Sequence, residues 1–105
     1  MTYAEEKLYL AIFHCFAIDE GDSRSRLSNG FRCYLHTLRE ENFTKSHWNR
    51  FQKVKNRIVE KGPLISADGI VVVGAFENAK TGMKNKTASK LIKELVVIYE
   101  ELRNQ

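Results

Sequence analysis

Apolar residues recur at helical spacing over most of this chain and change to a strand-like run once, in its second half. From Ala4 to Ile18, the positions Leu8, Ile12, Cys15 and Phe16 keep spacings of three and four. Leu10, Ala11 and Phe13 add apolar surface on the other sides. A helix apolar nearly all round is one covered by its neighbours, so helix 4–18 is expected to be central. The polar stretch Asp19-Glu20-Gly21-Asp22 ends it. Asp22 or Ser23 then caps a second helix over 23–41, with Leu27, Phe31, Tyr34, Leu35 and Leu38 as its apolar line. Gly30 runs against that reading, because glycine costs about 1 kcal/mol in a helix interior. Thr44 caps a third helix over 45–61, with Trp48, Phe51, Val54 and Ile58 as its stripe. Gly62 suits the left-handed position after a helix, and Pro63 cannot continue one.

Beyond Pro63 the period changes. Leu64-Ile65-Ser66 and Ile70-Val71-Val72-Val73 flank Asp68-Gly69, which predicts a β-hairpin over 64–73 with positive φ angles in the turn. The stretch 75–85 is punctuated by Gly82 and rich in Asn, Thr and Lys, and reads as a loop. A last helix over 86–103 carries Leu91, Leu95, Ile98 and Leu102 on one side, with Ile92, Val96 and Tyr99 beside them. That face is wide for a terminal helix, so Leu91, Leu95, Ile98 and Leu102 are the expected dimer interface. A chain of 105 residues suits one domain. The fold class expected is mainly α with a β-hairpin (α+β), in the order α-α-α-ββ-α.

Charge adds a direction to this picture. The formal net charge is +4, but residues 1–22 sum to −4, residues 23–62 to +7 and residues 63–105 to +1. Positive charge concentrated in one segment points to a polyanionic partner more firmly than net charge does. The candidate contacts are Lys45, Asn49, Arg50, Gln52, Lys53 and Arg57 on the third helix, with Arg32 and Arg39 on the second. A helix fits the DNA major groove, where Lys and Arg neutralise phosphates and reach base edges. The blander reading of the same residues is a solvated basic helix face.

The order of parts from Arg24 to Val73 carries a resemblance. Two basic helices, then Asn56-Arg57-Ile58-Val59-Glu60-Lys61-Gly62-Pro63-Leu64-Ile65-Ser66-Ala67-Asp68-Gly69, resemble the winged helix-turn-helix DNA-binding superfamily in its run from recognition helix into wing. The resemblance implies a DNA-binding regulator or accessory factor that uses the third helix and the hairpin on double-stranded DNA, and the apolar stripe of the last helix adds the expectation of a homodimer. The alternative is a protein-interaction or inhibitor module whose basic face binds an acidic protein.

Other chemistries find little support in the sequence. Cys15 and Cys33 lie in apolar helical patterns and read as free buried thiols. His14, His36 and His47 have no ligand spacing with them, so neither a metal nor another cofactor is expected. Arg32 and His36 resemble the Arg–His pair of HEPN-type ribonucleases but stand closer together than that family's pair, and no enzyme is expected. The apolar runs fall short of the roughly 20 residues a membrane span needs. Glu5 and Glu6 give the wrong charge for a signal peptide. A cytoplasmic protein is expected, or a nuclear one in a eukaryote.

Overall fold

Three helices begin where short polar side chains satisfy their first free N–H groups, and those starts set the frame. The computed structural model describes residues 2–105. The Thr2 hydroxyl accepts from the Glu5 N–H at 3.2 Å and opens α1, Tyr3–Ala11. The Asp22 carboxylate accepts from the Ser25 N–H at 3.0 Å and opens α2, Ser23–Cys33. The Thr44 hydroxyl accepts from the His47 N–H at 3.5 Å and opens α3, Lys45–Val59. After α3 come β1, Leu64–Ile65, and β2, Val71–Val73, paired antiparallel. α4, Ala75–Gly82, and α5, Asn85–Arg103, complete the chain. The fold is mostly helical with a small two-stranded hairpin.

The first helix departs from expectation in two ways. After Ala11 the rod continues as a π-helical turn, Ile12–Phe16, closed by the Ala17 N–H on the Ile12 carbonyl at 2.9 Å. It is also one-sided rather than central: Leu8, Ala11, Ile12, Cys15 and Phe16 are buried, whereas Tyr9 and Phe13 are exposed. Those two rings lie against each other with centroids 4.7 Å apart. Arg26 closes the rod, donating from its guanidinium to the Phe16 carbonyl at 3.1 Å and to the Gly21 carbonyl at 2.7 Å.

The second helix stops at Cys33, well short of residue 41. Beyond it lie 3₁₀ turns at Leu35–Thr37 and Glu40–Asn42. Local side-chain bonds compete with the helical ladder here. The His36 ring bonds the Phe31 carbonyl at 3.0 Å, the Thr37 hydroxyl donates to the Tyr34 carbonyl, and the Asn42 side chain accepts from the Arg39 N–H. Leu35 and Leu38 still reach the core through this tighter path. With the helix ending at Cys33, that thiol is exposed, and Cys15 alone is buried. Burial, with Cys33 and Asp19 nearby, pushes the Cys15 thiol up to about 11.

The core is built on Phe31 of α2 and Phe51 of α3, both fully buried and stacked with centroids 5.7 Å apart. Phe76 stacks on Phe31 at 5.4 Å, and Phe43 on Phe51 at 5.0 Å. The expected loop over 75–85 is largely α4, because Phe76, Ala79 and Met83 at spacings of three and four dock on this cluster. Tertiary burial outweighs the weak helix propensity of the Asn- and Gly-containing segment. Two bonds fix its position: the Ser28 hydroxyl donates to the Phe76 carbonyl at 2.8 Å, and the buried Asn78 amide donates to the Gly62 carbonyl at 2.9 Å.

The hairpin turns through Ala67-Asp68-Gly69, with the Ser66 N–H on the Ile70 carbonyl at 2.8 Å and the Gly69 N–H on the Ser66 carbonyl at 3.0 Å. Only Gly69, φ +81°, takes a positive φ there, so this is a three-residue loop rather than a tight Asp-Gly turn. Gly62 has φ +74° and ends α3 as its sequence position suggests.

α5 matches its expected span, but its stripe is not a free seam. Leu95, Ile98 and Leu102 are buried in the chain's own core, and Leu91 is partly buried against it. The helices packed on α5 cover most of the wide apolar face, so Leu95, Ile98 and Leu102 of the expected dimer interface serve the core, with Leu91 at its margin.

Candidate nucleic-acid interface

α3 carries the candidate site because its buried stripe fixes which side looks outward. His47, Phe51, Val54 and Ile58 are buried, so the core stripe includes His47 where the sequence suggested Trp48. Trp48 lies a turn to the side, partly buried against Phe43 and Phe51. Opposite the stripe stand Lys45, Asn49, Gln52, Lys53 and Asn56, all exposed, with Arg57 at the edge. No acid occurs between Lys45 and Val59, against five Lys and Arg. Among the described residues, neither Lys45 nor Lys53 pairs with a carboxylate.

Arg50, the centre of the expected basic row, is turned away from it. Its guanidinium donates to Glu94 at 2.8 Å and to Glu101 at 2.7 Å, both on α5. Those carboxylates hold the Arg50 pKa above its ordinary value, Glu101 first. Arg50, with His47 in second place, lowers that of Glu101. The His47 ring sits between the Thr44 hydroxyl, 2.7 Å from Nδ1, and Glu101, 3.2 Å from Nε2. A carboxylate only accepts, so in the neutral ring Nε2 carries the proton and Nδ1 accepts from Thr44. Arg50 is thus a strut between α3 and α5. Arg50→Ala is expected to cost about 1 kcal/mol, near 5 °C in the thermal midpoint by circular dichroism. An unchanged midpoint would show that the strut bears no stability.

The remaining expected residues divide. Arg57 pairs with Glu60 at 2.8 Å within its own helix and stays half exposed. Arg32 lies on α2, bonded to Asn29 at 3.1 Å and 3.7 Å from Glu77 of α4. Arg39 is exposed in the turn between the two 3₁₀ segments. Neither of the last two extends the α3 row. Arg24 and Arg26 are used as well, Arg24 on Asp22 and the Met83 carbonyl, Arg26 as the helix cap described above. Much of the +7 of residues 23–62 therefore serves the fold.

The structure adds charge that the sequence reading left out. His47 meets Glu101 while Arg50 reaches back to Glu94, so α3 and α5 run antiparallel. The carboxylates of α5 lie beside the N-terminal half of α3. The first half of α5 is free of acids and carries the exposed Lys86, Lys90 and Lys93. Lys90 is one turn before Glu94, the residue that meets Arg50 of α3. Spacings of four and three without an acid from Asn85 to Lys93 were the available signal. A cavity of about 300 Å³ opens at the C-terminal end of α3, with Arg57, Lys61 and Gly82 on its rim and Ile58, Ala79 and Met83 as apolar floor. The Lys61 ammonium bonds the Thr81 hydroxyl at 2.6 Å across it.

The three histidines are scattered. His14 is exposed on the π-helical turn, His36 is exposed beyond α2, and His47 is enclosed by Thr44 and Glu101. Arg32 and His36 are held by different partners, Glu77 and the Phe31 carbonyl. Among the described residues, no group of three or more His, Cys, Asp or Glu is placed to hold a metal ion. No helix is long and apolar enough to cross a membrane. No protein-family model, no curated protein and no solved structure matches the chain.

Proposed function

We propose that this chain is a non-enzymatic nucleic-acid-binding module that engages double-stranded DNA with the outward face of α3 and the basic first half of α5. The acid-free, solvent-facing row Lys45, Asn49, Gln52, Lys53 and Asn56 carries the reading. Lys45 and Lys53 meet phosphates, while Asn49 and Gln52 between them offer the donor and acceptor that complement those of adenine in the major groove. Lys86, Lys90 and Lys93 extend the phosphate footprint beside α3. Arg50 takes no part, since Glu94 and Glu101 neutralise its charge and hold it against α5.

The order α2, α3, hairpin supports a winged-helix-like use of the fold, with the Phe31–Phe51 stack setting α2 against α3. The hairpin departs from a phosphate-binding wing, because Pro63 through Val73 contains no Lys or Arg and one Asp. In this reading the groove contact belongs to α3, and α5 takes the role a basic wing would fill.

Fluorescence anisotropy with a mixed-sequence duplex tests the proposal. A footprint of about four phosphates gives a slope of log K against log salt near −3.6. Replacing Lys45, Lys53 and Lys90 together by Ala is expected to flatten that slope by up to about 2.7, and to change stability by less than about 0.5 kcal/mol per site. No binding at low salt, or an unchanged slope in the triple variant, would overturn it. The apolar hairpin beside the basic face favours one second reading, an acidic protein partner. Displacement of the duplex by an acidic protein but not by excess unlabelled DNA would select it.

A further inference from the structure

The proposed function makes no use of the chain's two cysteines, and the fold brings them to one place. α1 and its π-helical turn form a rod that packs on α2, and side chains meet across the pair in sequence. The Asn29 amide donates to Asp19 at 2.7 Å, the Phe16 ring lies directly on Gly30, and the His14 ring stands 6.3 Å from that of Tyr34. Moving back along the first rod moves forward along α2, the register of an antiparallel pair. Between the last two of these contacts lie Cys15 on one side and Cys33 on the other. The face of α2 agrees. Arg26, Asn29 and Gly30 all meet the first rod or the turn after it, and Cys33 continues their spacings of three and four. After burial, the neighbouring Cys33 is the next cause that raises the Cys15 thiol. A disulfide needs Cα atoms within about 7 Å. Cys33 is the last residue of α2, before Tyr34 leaves the helix at φ −132°, and frayed helix ends shift readily.

We infer that Cys33 and Cys15 form an oxidisable dithiol, in which a hydroperoxide oxidises exposed Cys33 and buried Cys15 resolves it to an intramolecular disulfide. The inference stands independently of the nucleic-acid reading. In the first step the Cys33 thiolate sulfur attacks one peroxide oxygen and the O–O bond breaks. Cys33 becomes a sulfenic acid, and the other oxygen leaves with the proton that the thiol released. In the second step the Cys15 sulfur attacks the sulfenic sulfur, the S–S bond forms and the S–O bond breaks. The Cys15 proton departs with that hydroxyl as water, so two electrons have passed from the thiols to the peroxide. Access sets the order of events. Cys33 meets solvent, whereas Cys15 is buried and stays a thiol until a sulfenic acid stands beside it. The bond closes the loop over residues 15–33 and ties the π-helical turn to the end of α2.

Hydrogen peroxide added to the folded chain, removed by catalase and followed by N-ethylmaleimide in denaturant, tests this by intact mass. The native chain is expected to lose both reactive thiols and to become two hydrogen atoms lighter, still as a single chain. Dithiothreitol is expected to return both thiols, and circular dichroism to stay helical throughout. Cys15→Ala is expected to stop at a Cys33 sulfenic acid that dimedone traps. Cys33→Ser is expected to keep Cys15 reduced at the same peroxide dose. A native chain in which Cys33 gains oxygen while Cys15 still reacts with the maleimide overturns the inference. So does a disulfide that joins two chains, or an oxidised Cys15 in Cys33→Ser. A helical spectrum that collapses as the bond forms would place the disulfide in the unfolded chain and overturn it equally.

Discussion

Phe31→Ala is expected to cost about 3–5 kcal/mol, a large share of the 5–15 kcal/mol that holds a domain folded. The ring is fully buried and joins three helices at once, from α2 to Phe51 of α3 and Phe76 of α4. Stacked pairs of this kind add about 0.5–1.5 kcal/mol each beyond the area they bury. Removing the ring therefore opens a cavity and breaks both stacks. Urea denaturation followed by circular dichroism should show the midpoint moving to low urea, or no folded baseline. Trp48→Ala is the useful contrast, because its ring is only partly buried at the margin of the same cluster. Equal losses at the two sites would mean that the cluster is not centred on Phe31.

A substitution at Gly30 tests the same core from the opposite direction. Gly30 is buried in the middle of α2, where Ala would ordinarily gain about 1 kcal/mol. A Cβ at this position would stand 2.5 Å from Cε1 and 2.9 Å from Cζ of Phe16. That ring is buried at the end of the π-helical turn and cannot swing aside into solvent. Gly30→Ala is therefore expected to destabilise despite the better helix former, and Gly30→Leu to cost about 3 kcal/mol by overpacking. Phe16→Ala in the Gly30→Ala background should recover part of the loss. The non-additivity of such touching pairs is about 0.5–3 kcal/mol in urea-derived stabilities. A stabilising Gly30→Ala would disprove the close contact.

The parts of the fold legible in the sequence are those decided locally. Asp22 and Thr44 announce helix starts by their own chemistry, Gly62-Pro63 a helix stop, and the β-branched run with Asp68-Gly69 a hairpin. What was not legible depends on distant partners. α4 exists because Phe76, Ala79 and Met83 find the Phe31 cluster, and its composition alone says loop. α2 ends at Cys33 because His36, Thr37 and Asn42 bond nearby backbone, a competition that periodicity does not register. The choice between His47 and Trp48 for the core stripe is a difference of one position around the helix. It was settled by Thr44 and Glu101, which make burial of the imidazole tolerable.

The candidate site shows the same division. The charge of residues 23–62 was readable, but its availability was not, because Arg24, Arg26, Arg32 and Arg50 each have partners supplied by the fold. Lys45, Asn49, Gln52 and Lys53 kept the outward placement the spacing gave them. Lys86, Lys90 and Lys93 are exposed on α5, and the packing of that helix on α3 is what makes them candidates beside the α3 row. A linear sum of charge cannot contain that information.

The π-helical turn at Ile12–Phe16 has a consequence for how this chain compares with any other. Its closing bond spans five residues where an α-helix spans four, so the rod holds one residue more than its length requires. Phe13 and His14, both facing solvent, take up that surplus, while Leu8 before it and Phe16 after it stay anchored in the core. A chain of the same fold that is one residue shorter can lose its residue here and keep every buried contact on both sides. The gap in such an alignment belongs between positions 12 and 16, inside a helix, rather than in the turn at residues 17–22 where a loop would conventionally receive it.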